Sequence, residues 1–273
     1  MSIASEITRL QSAKADIKTA IEAKGVTVPS NALIDTYPSY ISNIPSGGGG
    51  DIDAYINGTI TSVSYSGSNI RDYAFYRFNN LTTVTSPNLT SVGKYAFQYC
   101  YSLNSINLSL VTNTGEYCFA ECRSLTSVNL PVLTRLSTNA FLNCSGLTNI
   151  SVPLLSDVAG NAFRGCTALS SLSLPSLVSL GYGACVGCTS LASFTLTSTL
   201  TKVQGYAFNG CTNLASLYIA SDVNKVIPLD ATTAFDGTKI ASGTGNIYVP
   251  SNWLASYQTA ANWSTYSARM VGY

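Results

Sequence analysis

The chain has 273 residues, of which 46% are hydrophobic, and this is enough to bury one large core or two smaller ones. Charged residues make up only 10%, and the 14 basic and 13 acidic side chains nearly cancel, which argues against a nucleic-acid partner because such proteins carry a basic patch. Histidine is absent, which excludes a serine–histidine triad and histidine metal ligands, and no apolar run reaches the ~18 residues of a membrane span.

The first predicted element is a helix over residues 3–24. Apolar side chains recur at heptad spacing, with Lys14 in the one seam position that breaks the pattern: Ile3, Ile7, Leu10, Ile17 and Ile21. Gly25 is a plausible end of the helix, and Pro29 lies beyond it. Two interpretations stay open. The helix packs on a neighbouring element, or it is an oligomerisation helix, for which isoleucine at most seam positions favours a homotrimer over a dimer.

A glycine-rich linker follows this head. Residues 46–51 contain four consecutive glycines, the clearest flexible stretch in the chain, so residues 1–45 form a separate attachment or oligomerisation segment. The first residues lack the basic and apolar stretches of a signal peptide. We therefore expect no export by the general secretory route, and eight cysteines that begin reduced.

Residues 52–249 are dominated by a repeat with a period of 22 residues. Its most regular position holds phenylalanine, with Cys185 in the sixth copy: Phe75, Phe97, Phe119, Phe141, Phe163, Phe208 and Phe235. Three residues further on, cysteine recurs at Cys100, Cys122, Cys144, Cys166, Cys188 and Cys211. Cysteines at a fixed period indicate one small buried side chain per repeat rather than a disulfide framework. The pair Cys185 and Cys188 also matches a redox or zinc motif, but the repeat phase explains it better.

The repeat unit reads A-F-x-x-C-x-x-L-x-x-I-x-L-P. Val128 and Leu130 alternate with polar neighbours, as in a half-buried strand, and Pro131 follows where no ladder hydrogen bond is needed. One unit cannot bury its apolar edge alone, whereas stacked units can. We therefore predict a β-rich solenoid of about eight coils of 22–23 residues, with the phenylalanine and cysteine columns as interior ladders.

This unit resembles the leucine-rich repeats of the BspA and Treponema pallidum type. The resemblance covers roughly residues 52–249, with serine or threonine replacing the proline at Ser109 and Thr197. It implies a curved solenoid used for binding, often at bacterial surfaces, and it brings no catalytic motif. No carboxylate pair and no phosphate-binding glycine loop stands out either. We expect a protein that is not an enzyme and has no cofactor or metal.

The head is similar to N-terminal segments of phage and prophage tail-associated proteins. The resemblance rests on Ile7-Thr8-Arg9-Leu10, Ala13-Lys14-Ala15 and Lys24-Gly25-Val26-Thr27-Val28-Pro29. It implies that the head docks on a virion or tail component, assembled in the bacterial cytoplasm, while the solenoid contacts a surface glycan or protein of the host. The alternative is an adhesin of the same repeat family at the bacterial cell surface.

The last predicted elements lie in residues 247–273. Ile247-Tyr248-Val249 is interpreted as the final strand, and Ser251 as the N-cap of a short helix with Trp253 and Tyr257. Because a solenoid needs a cover over its open apolar end, residues 250–273 are interpreted as a helical C-terminal cap, with Trp253 and Trp263 in its core. The alternative role for the two tryptophans is stacking on carbohydrate.

Two surfaces are candidates for ligand binding. Tyr73, Tyr95 and Tyr117 share one column, two residues before the phenylalanine, and Tyr76, Tyr99 and Tyr101 lie nearby. Tyrosine offers rigid area with a polar tip, so an exposed column would form a recognition strip. The strand positions that point away from the core, Asn107 and Asn129 among them, form a polar, uncharged face able to bind a glycan or protein. The alternatives are tyrosine packing within the wall and an inert soluble face.

Overall fold

A computed structural model describes residues 60–273 of the chain. The predicted helix over residues 3–24, its trimeric seam and the linker over residues 46–51 lie outside the described residues, as does the expected start of the solenoid at residue 52. These interpretations stay predictions.

The described part of the chain winds into coils that carry short parallel strands. The strands of successive coils line up in two ladders. The first ladder contains β1 (Ser62–Ser64), β3 (Thr83–Thr85), β5 (Ser105–Ile106), β7 (Ser127–Asn129), β9 (Asn149–Ser151), β12 (Ser193–Leu196), β13 (Ser216–Ile219), β14 (Asn246–Val249) and β15 (Met270–Gly272). The second contains β2 (Asn69–Ile70), β4 (Ser91–Val92), β6 (Asn113–Thr114), β8 (Arg135–Leu136), β10 (Asp157–Val158) and β11 (Ser179–Leu180). Isolated bridges extend the second ladder from Leu180 to Val203 and from Val203 to Leu229.

Equivalent apolar residues stand opposite each other in successive coils. Val63 pairs with Val84, and Val84 with Ile106, at the start of the first ladder. The same column runs through Leu217 and Ile247 to Met270 at its other end. Strands β7 and β9 bury their central apolar side chain and expose polar neighbours, as the alternation in the repeat unit predicts, whereas Ile106 in β5 is only half-buried.

The structure has about ten turns, two more than the eight expected from the phenylalanine column. The eighth copy, which contains Phe235, leads into β14, so the two further turns lie at the two ends: β1 precedes the first copy at Phe75, and β15 follows β14. The coil through Leu172 has no regular strand, although Leu172 and Leu174 remain buried. The count from the sequence was too low because the end strands pair with their neighbours without a phenylalanine-containing motif of their own.

The predicted interior ladders are confirmed as buried. The side chains of Phe97, Phe119, Phe141, Phe163 and Phe208 are all fully buried. From Phe75 to Phe163 the rings stack on the next copy with centroid distances of 5.1–6.0 Å and nearly parallel planes. The eight cysteines are buried and free. The phenylalanine stack therefore forms a continuous core that joins the coils.

The C-terminal segment differs from the helical cover that the sequence predicts. Its helices are small: α1 (Leu254–Thr259) and the 3-10 helix Trp263–Arg269. The last residues form β15, which pairs with β14, so β14 is not the final strand. Trp263 is fully buried and donates its indole N–H to the Ile227 carbonyl oxygen at 2.7 Å, whereas Trp253 is only half-buried.

None of the helices within residues 60–273 combines the length and the apolar character needed to cross a membrane.

Candidate functional site

The third side of each coil is a turn that contains the Ala-Phe pair and two left-handed residues. At the first of these positions the φ angle is +59° for Tyr73, +56° for Tyr95 and +56° for Tyr117. The same position holds Asn139, Asn161, Gly183 and Tyr206 in later coils, with φ between +54° and +63°. Hydrogen bonds join these turns between coils, as from the Tyr95 N–H to the Glu116 carbonyl oxygen at 2.9 Å.

Tyrosine is energetically unfavourable at this left-handed position. A left-handed conformation costs roughly 1–2 kcal/mol for an ordinary L-residue, whereas glycine adopts it freely and asparagine tolerates it. Three of the four later coils use asparagine or glycine there, and the fourth has Tyr206, so the turn itself does not require tyrosine. Residues held in such regions tend to cluster at functional sites. The three consecutive tyrosines at the N-terminal end of the described solenoid are therefore the strongest candidates for a role other than folding.

These tyrosines form a stack along the surface of the solenoid. The ring centroids of Tyr73 and Tyr95 are 4.8 Å apart, and those of Tyr95 and Tyr117 are 5.1 Å apart, with nearly parallel planes. Tyr73 is 46% exposed, and the other two are half-buried. Because the inner faces cover one another, the stack presents ring edges and phenolic oxygens. The rings therefore pack on each other, as in the interpretation of a packed wall, but they remain partly exposed at the surface, as in the interpretation of a recognition strip.

The stack continues into a second group of aromatic rings. Tyr73 contacts Tyr76 edge to face at 5.8 Å, Tyr76 contacts Tyr99 at 5.7 Å, and Tyr99 contacts Tyr101 at 6.0 Å. We call the six residues of this connected set the tyrosine patch: Tyr73, Tyr76, Tyr95, Tyr99, Tyr101 and Tyr117. Tyr99 occupies the second left-handed position of its turn, with φ of +64°, where four later coils have glycine. The patch therefore includes four tyrosines in a costly backbone conformation.

An open trough of about 810 Å³ adjoins the patch at Tyr73. Its polar walls come from the second ladder and the residues that follow it, including Asn69, Ser91, Asn113 and Ser137. Gly93 and Gly115 line it as well, and a Cβ at Gly115 would lie 2.3 Å from the Lys94 nitrogen. These glycines allow successive coils to approach closely at the trough. The trough is large enough for a small-molecule or sugar ligand, since such sites span roughly 300–1,000 Å³.

Charged groups around the trough are mostly used within the protein. The Lys94 ammonium lies 3.5 Å from the Glu116 carboxylate, and the Asp72 carboxylate accepts the Lys94 backbone N–H at 2.7 Å. The pKa of Tyr95 is raised, first by desolvation and then by the neighbouring Tyr73 and Tyr117, so its phenol stays protonated and can donate at neutral pH.

The predicted site residues fall on two separate surfaces. Tyr73, Tyr95, Tyr117, Tyr99 and Tyr101 are brought together in the patch. Asn107 and Asn129 are exposed on the first ladder, on another side of the coil. The Asn107 side-chain oxygen accepts the Ser109 N–H at 3.0 Å, which gives that residue a turn-forming role. Tyr76, which the sequence also places near the column, is part of the patch as well, whereas the contacts of Arg77 with two of its rings were not predicted.

The cysteine column makes a regular set of hydrogen bonds that sequence reasoning missed. Each thiol donates to the carbonyl oxygen of the phenylalanine position in the preceding coil, for example from Cys144 to Phe119 at 3.0 Å and from Cys122 to Phe97 at 3.2 Å. The final bond runs from Cys211 to the Cys185 carbonyl at 3.0 Å. Cysteine thus fills a small space and gives this carbonyl a second hydrogen bond, because the oxygen already accepts a backbone N–H of its own turn, as from Cys122 to Phe119 at 3.2 Å. Within residues 60–273, no group of three or more cysteine or acidic side chains is arranged to hold a metal ion.

The two strand ladders, the interior stacks and the repeat unit together define a parallel β-solenoid of the leucine-rich-repeat class. A family model described as BspA type leucine rich repeat region matches residues 53–158 and 134–244. These matches cover more than half of the chain, so the chain belongs to this family.

The fold is also found in a solved structure. A leucine rich cell surface protein from Faecalibacterium prausnitzii matches with a TM-score of 0.51 and 21% identity, over 69% of this chain and 60% of that protein. A Treponema pallidum leucine rich repeat protein matches with a TM-score of 0.44 and 22% identity, over 67% of this chain and 78% of that protein. The present chain thus spans less than two thirds of the Faecalibacterium protein. No curated protein matches this chain in sequence.

Proposed function

We propose that the protein is a non-enzymatic binding protein of the bacterial cell surface, which contacts a surface glycan or protein through the tyrosine patch and the adjoining trough. The observation that carries this proposal is the run of three consecutive tyrosines in a left-handed position that three of the four later coils fill with asparagine or glycine. The surface location is supported by the family and by the description of the Faecalibacterium prausnitzii protein as a cell surface protein.

The site offers contacts that suit an uncharged or weakly charged polar ligand. Hydroxyl and amide groups in the trough both donate and accept hydrogen bonds, and the phenols at its edge do the same. Sugars present alternating hydroxyl groups and apolar C–H surfaces, which match these groups and the ring edges. The repeat along the solenoid axis also gives an extended ligand several equivalent contacts.

Replacing Tyr73, Tyr95 and Tyr117 together by asparagine is expected to weaken binding to bacterial cells or to a glycan array by about tenfold or more, because buried aromatic anchors dominate recognition. The backbone should be retained, since Asn139 and Asn161 adopt the same conformation in later coils. Far-UV circular dichroism checks the fold, and fluorescently labelled protein measures the binding.

The matched control is Tyr206→Asn. Tyr206 occupies the same left-handed position with φ of +59° and is 40% exposed, but it lies near the other end of the solenoid. We expect this variant to bind as the unmodified protein does. Equal binding by the triple variant would remove the patch from the recognition site, and no binding by the unmodified protein to any glycan or cell would contradict the proposal itself.

Attachment through residues 1–45 to a virion or tail component is the other location we put forward, and the sequence resemblance of the head is what supports it. Deleting residues 1–46 is expected to leave a folded, monomeric solenoid, measured by light scattering with circular dichroism. If full-length and truncated proteins have the same oligomeric state, the head does not oligomerise the protein. Tail genes beside the coding sequence would favour the virion, and an isolated locus would favour the cell surface.

A further inference from the structure

The tyrosine patch carries an arginine whose charge is not used within the described part of the protein. The Arg77 guanidinium carbon lies 5.3 Å from the ring centroid of Tyr76 and 5.4 Å from that of Tyr99, so the guanidinium is held against two rings. Arg77 is exposed and takes part in none of the ion pairs found among residues 60–273. An arginine fixed on aromatic rings keeps its N–H fork pre-organised for a planar anion.

Glu121, which holds the same turn position as Arg77 two coils further on, is already neutralised. Both N–H groups of the Arg123 fork donate to one oxygen of Glu121, at 2.9 and 2.7 Å, and the Asn143 amide donates to the other oxygen at 2.7 Å. The Arg123 guanidinium in turn lies 5.0 Å from the Tyr101 ring centroid. This end of the patch is therefore internally balanced, and Arg77 remains a surplus positive charge.

A second exposed arginine lines the trough beside the patch. Arg71 takes part in none of those ion pairs, but neither does Asp72, whose carboxylate lines the same trough. With Lys94 and Glu116, the trough has as many acidic as basic side chains, so Arg77 carries the surplus charge next to the rings.

We propose that the ligand of the tyrosine patch is an anionic polysaccharide built from uronic acids, with a carboxylate paired to Arg77. This inference rests on the proposed function and specifies its ligand class. Guanidinium and carboxylate match in a bidentate geometry, which favours arginine for this task. The patch and trough expose rings, hydroxyls and amides rather than aliphatic side chains, which favours a sugar chain over an acidic protein surface.

The test is calorimetric titration of the full-length protein with polygalacturonate and with its fully methyl-esterified form, which has the same sugar backbone without the charge. The acid form is expected to bind at least about tenfold more tightly, with affinity falling as salt rises. Arg77→Gln is expected to lose about tenfold, and Arg77→Lys to lose affinity as well, because lysine keeps the charge without the stacked planar fork. Arg164→Gln, an exposed arginine further along the solenoid, is the control and should bind normally.

Several results would overturn this inference. Equal affinity for the acid and ester forms, or unchanged binding by Arg77→Gln, would show that the carboxylate is not recognised there. Poly-L-glutamate binding as tightly as polygalacturonate would identify an acidic polypeptide as the partner. Neutral glycans that bind through Tyr95 while polygalacturonate does not would reject the anionic ligand and leave the proposed function standing. The proposed function fails separately if no glycan or cell surface binds at all.

Discussion

Phe141→Ala is expected to lower the free energy of unfolding by about 3–5 kcal/mol, the range for removing a fully buried aromatic side chain and leaving a cavity. Phe141 is fully buried in the middle of the stack. Its ring centroid lies 5.3 Å from that of Phe119 and 6.0 Å from that of Phe163. The substitution therefore interrupts the contact between coils on both sides, and each coil contacts mainly its neighbours in a solenoid.

Equilibrium urea denaturation followed by far-UV circular dichroism measures this loss. Circular dichroism is preferred because both tryptophans lie near the C-terminus and would report on that end alone. Leu142→Ala is the matched control: the neighbouring side chain is only half-buried, so a loss of about 1 kcal/mol is expected. A loss below about 1 kcal/mol for Phe141→Ala would contradict an interior stack.

Raising the pH above about 9 is expected to destabilise the protein steeply, because seven of its thiols have raised pKa values in the folded state. Burial is the main cause at five of these thiols, and it raises the pKa of Cys118 to about 12. At Cys188 and Cys211 hydrogen bonds between neighbouring thiols come first, followed by burial.

Proton linkage determines that the free energy of unfolding falls, rather than rises, with pH. Below about pH 8 the thiols are neutral in both the folded and unfolded chains, so their contribution to stability is fully present. Above about pH 8.5 the unfolded chain loses thiol protons that the folded chain keeps, and each thiol then lowers the free energy of unfolding by up to about 1.4 kcal/mol per pH unit. Because several thiols act together, the free energy of unfolding should fall steeply as the pH rises.

Urea denaturation at pH 7, 8, 9 and 10 under reducing conditions measures the slope. Cys144→Ala removes one ionising thiol, so the loss of stability per pH unit should be smaller by about 1.4 kcal/mol between pH 9 and 10. Leu142→Ala should leave the slope unchanged. If the stability of Cys144→Ala falls with pH as steeply as that of the unmodified protein, the Cys144 thiol ionises in the folded protein and is not shielded from water.

The fold could be predicted from the sequence because the stacking of coils repeats the same requirement in every turn. The phenylalanine and cysteine columns had to be buried together, and only a coil of constant period places them together. The number of turns could not be predicted in the same way. The end strands β1 and β15 pair with β3 and β14 without a phenylalanine–cysteine motif of their own, since backbone hydrogen bonds require no particular side chain.

The candidate site was predicted only in part. A shared column identified Tyr73, Tyr95 and Tyr117, but the tyrosines themselves do not indicate a left-handed backbone. The asparagines and the glycine at the same position in later coils do indicate it, because these residue types favour that conformation. The association of Arg77 with Tyr76 and Tyr99 depends on turns from two coils, so it could not be inferred from spacing along one repeat.

The sequence by itself determined the period, the solenoid class and the interior columns, because these depend on side-chain burial repeated at a fixed spacing. Only the tertiary structure decided which tyrosines touch, how the trough opens beside Tyr73, and that the thiols donate to carbonyls of the preceding coil. Those features depend on the offset between neighbouring coils and on the left-handed backbone of each turn. Both are set by how successive coils pack.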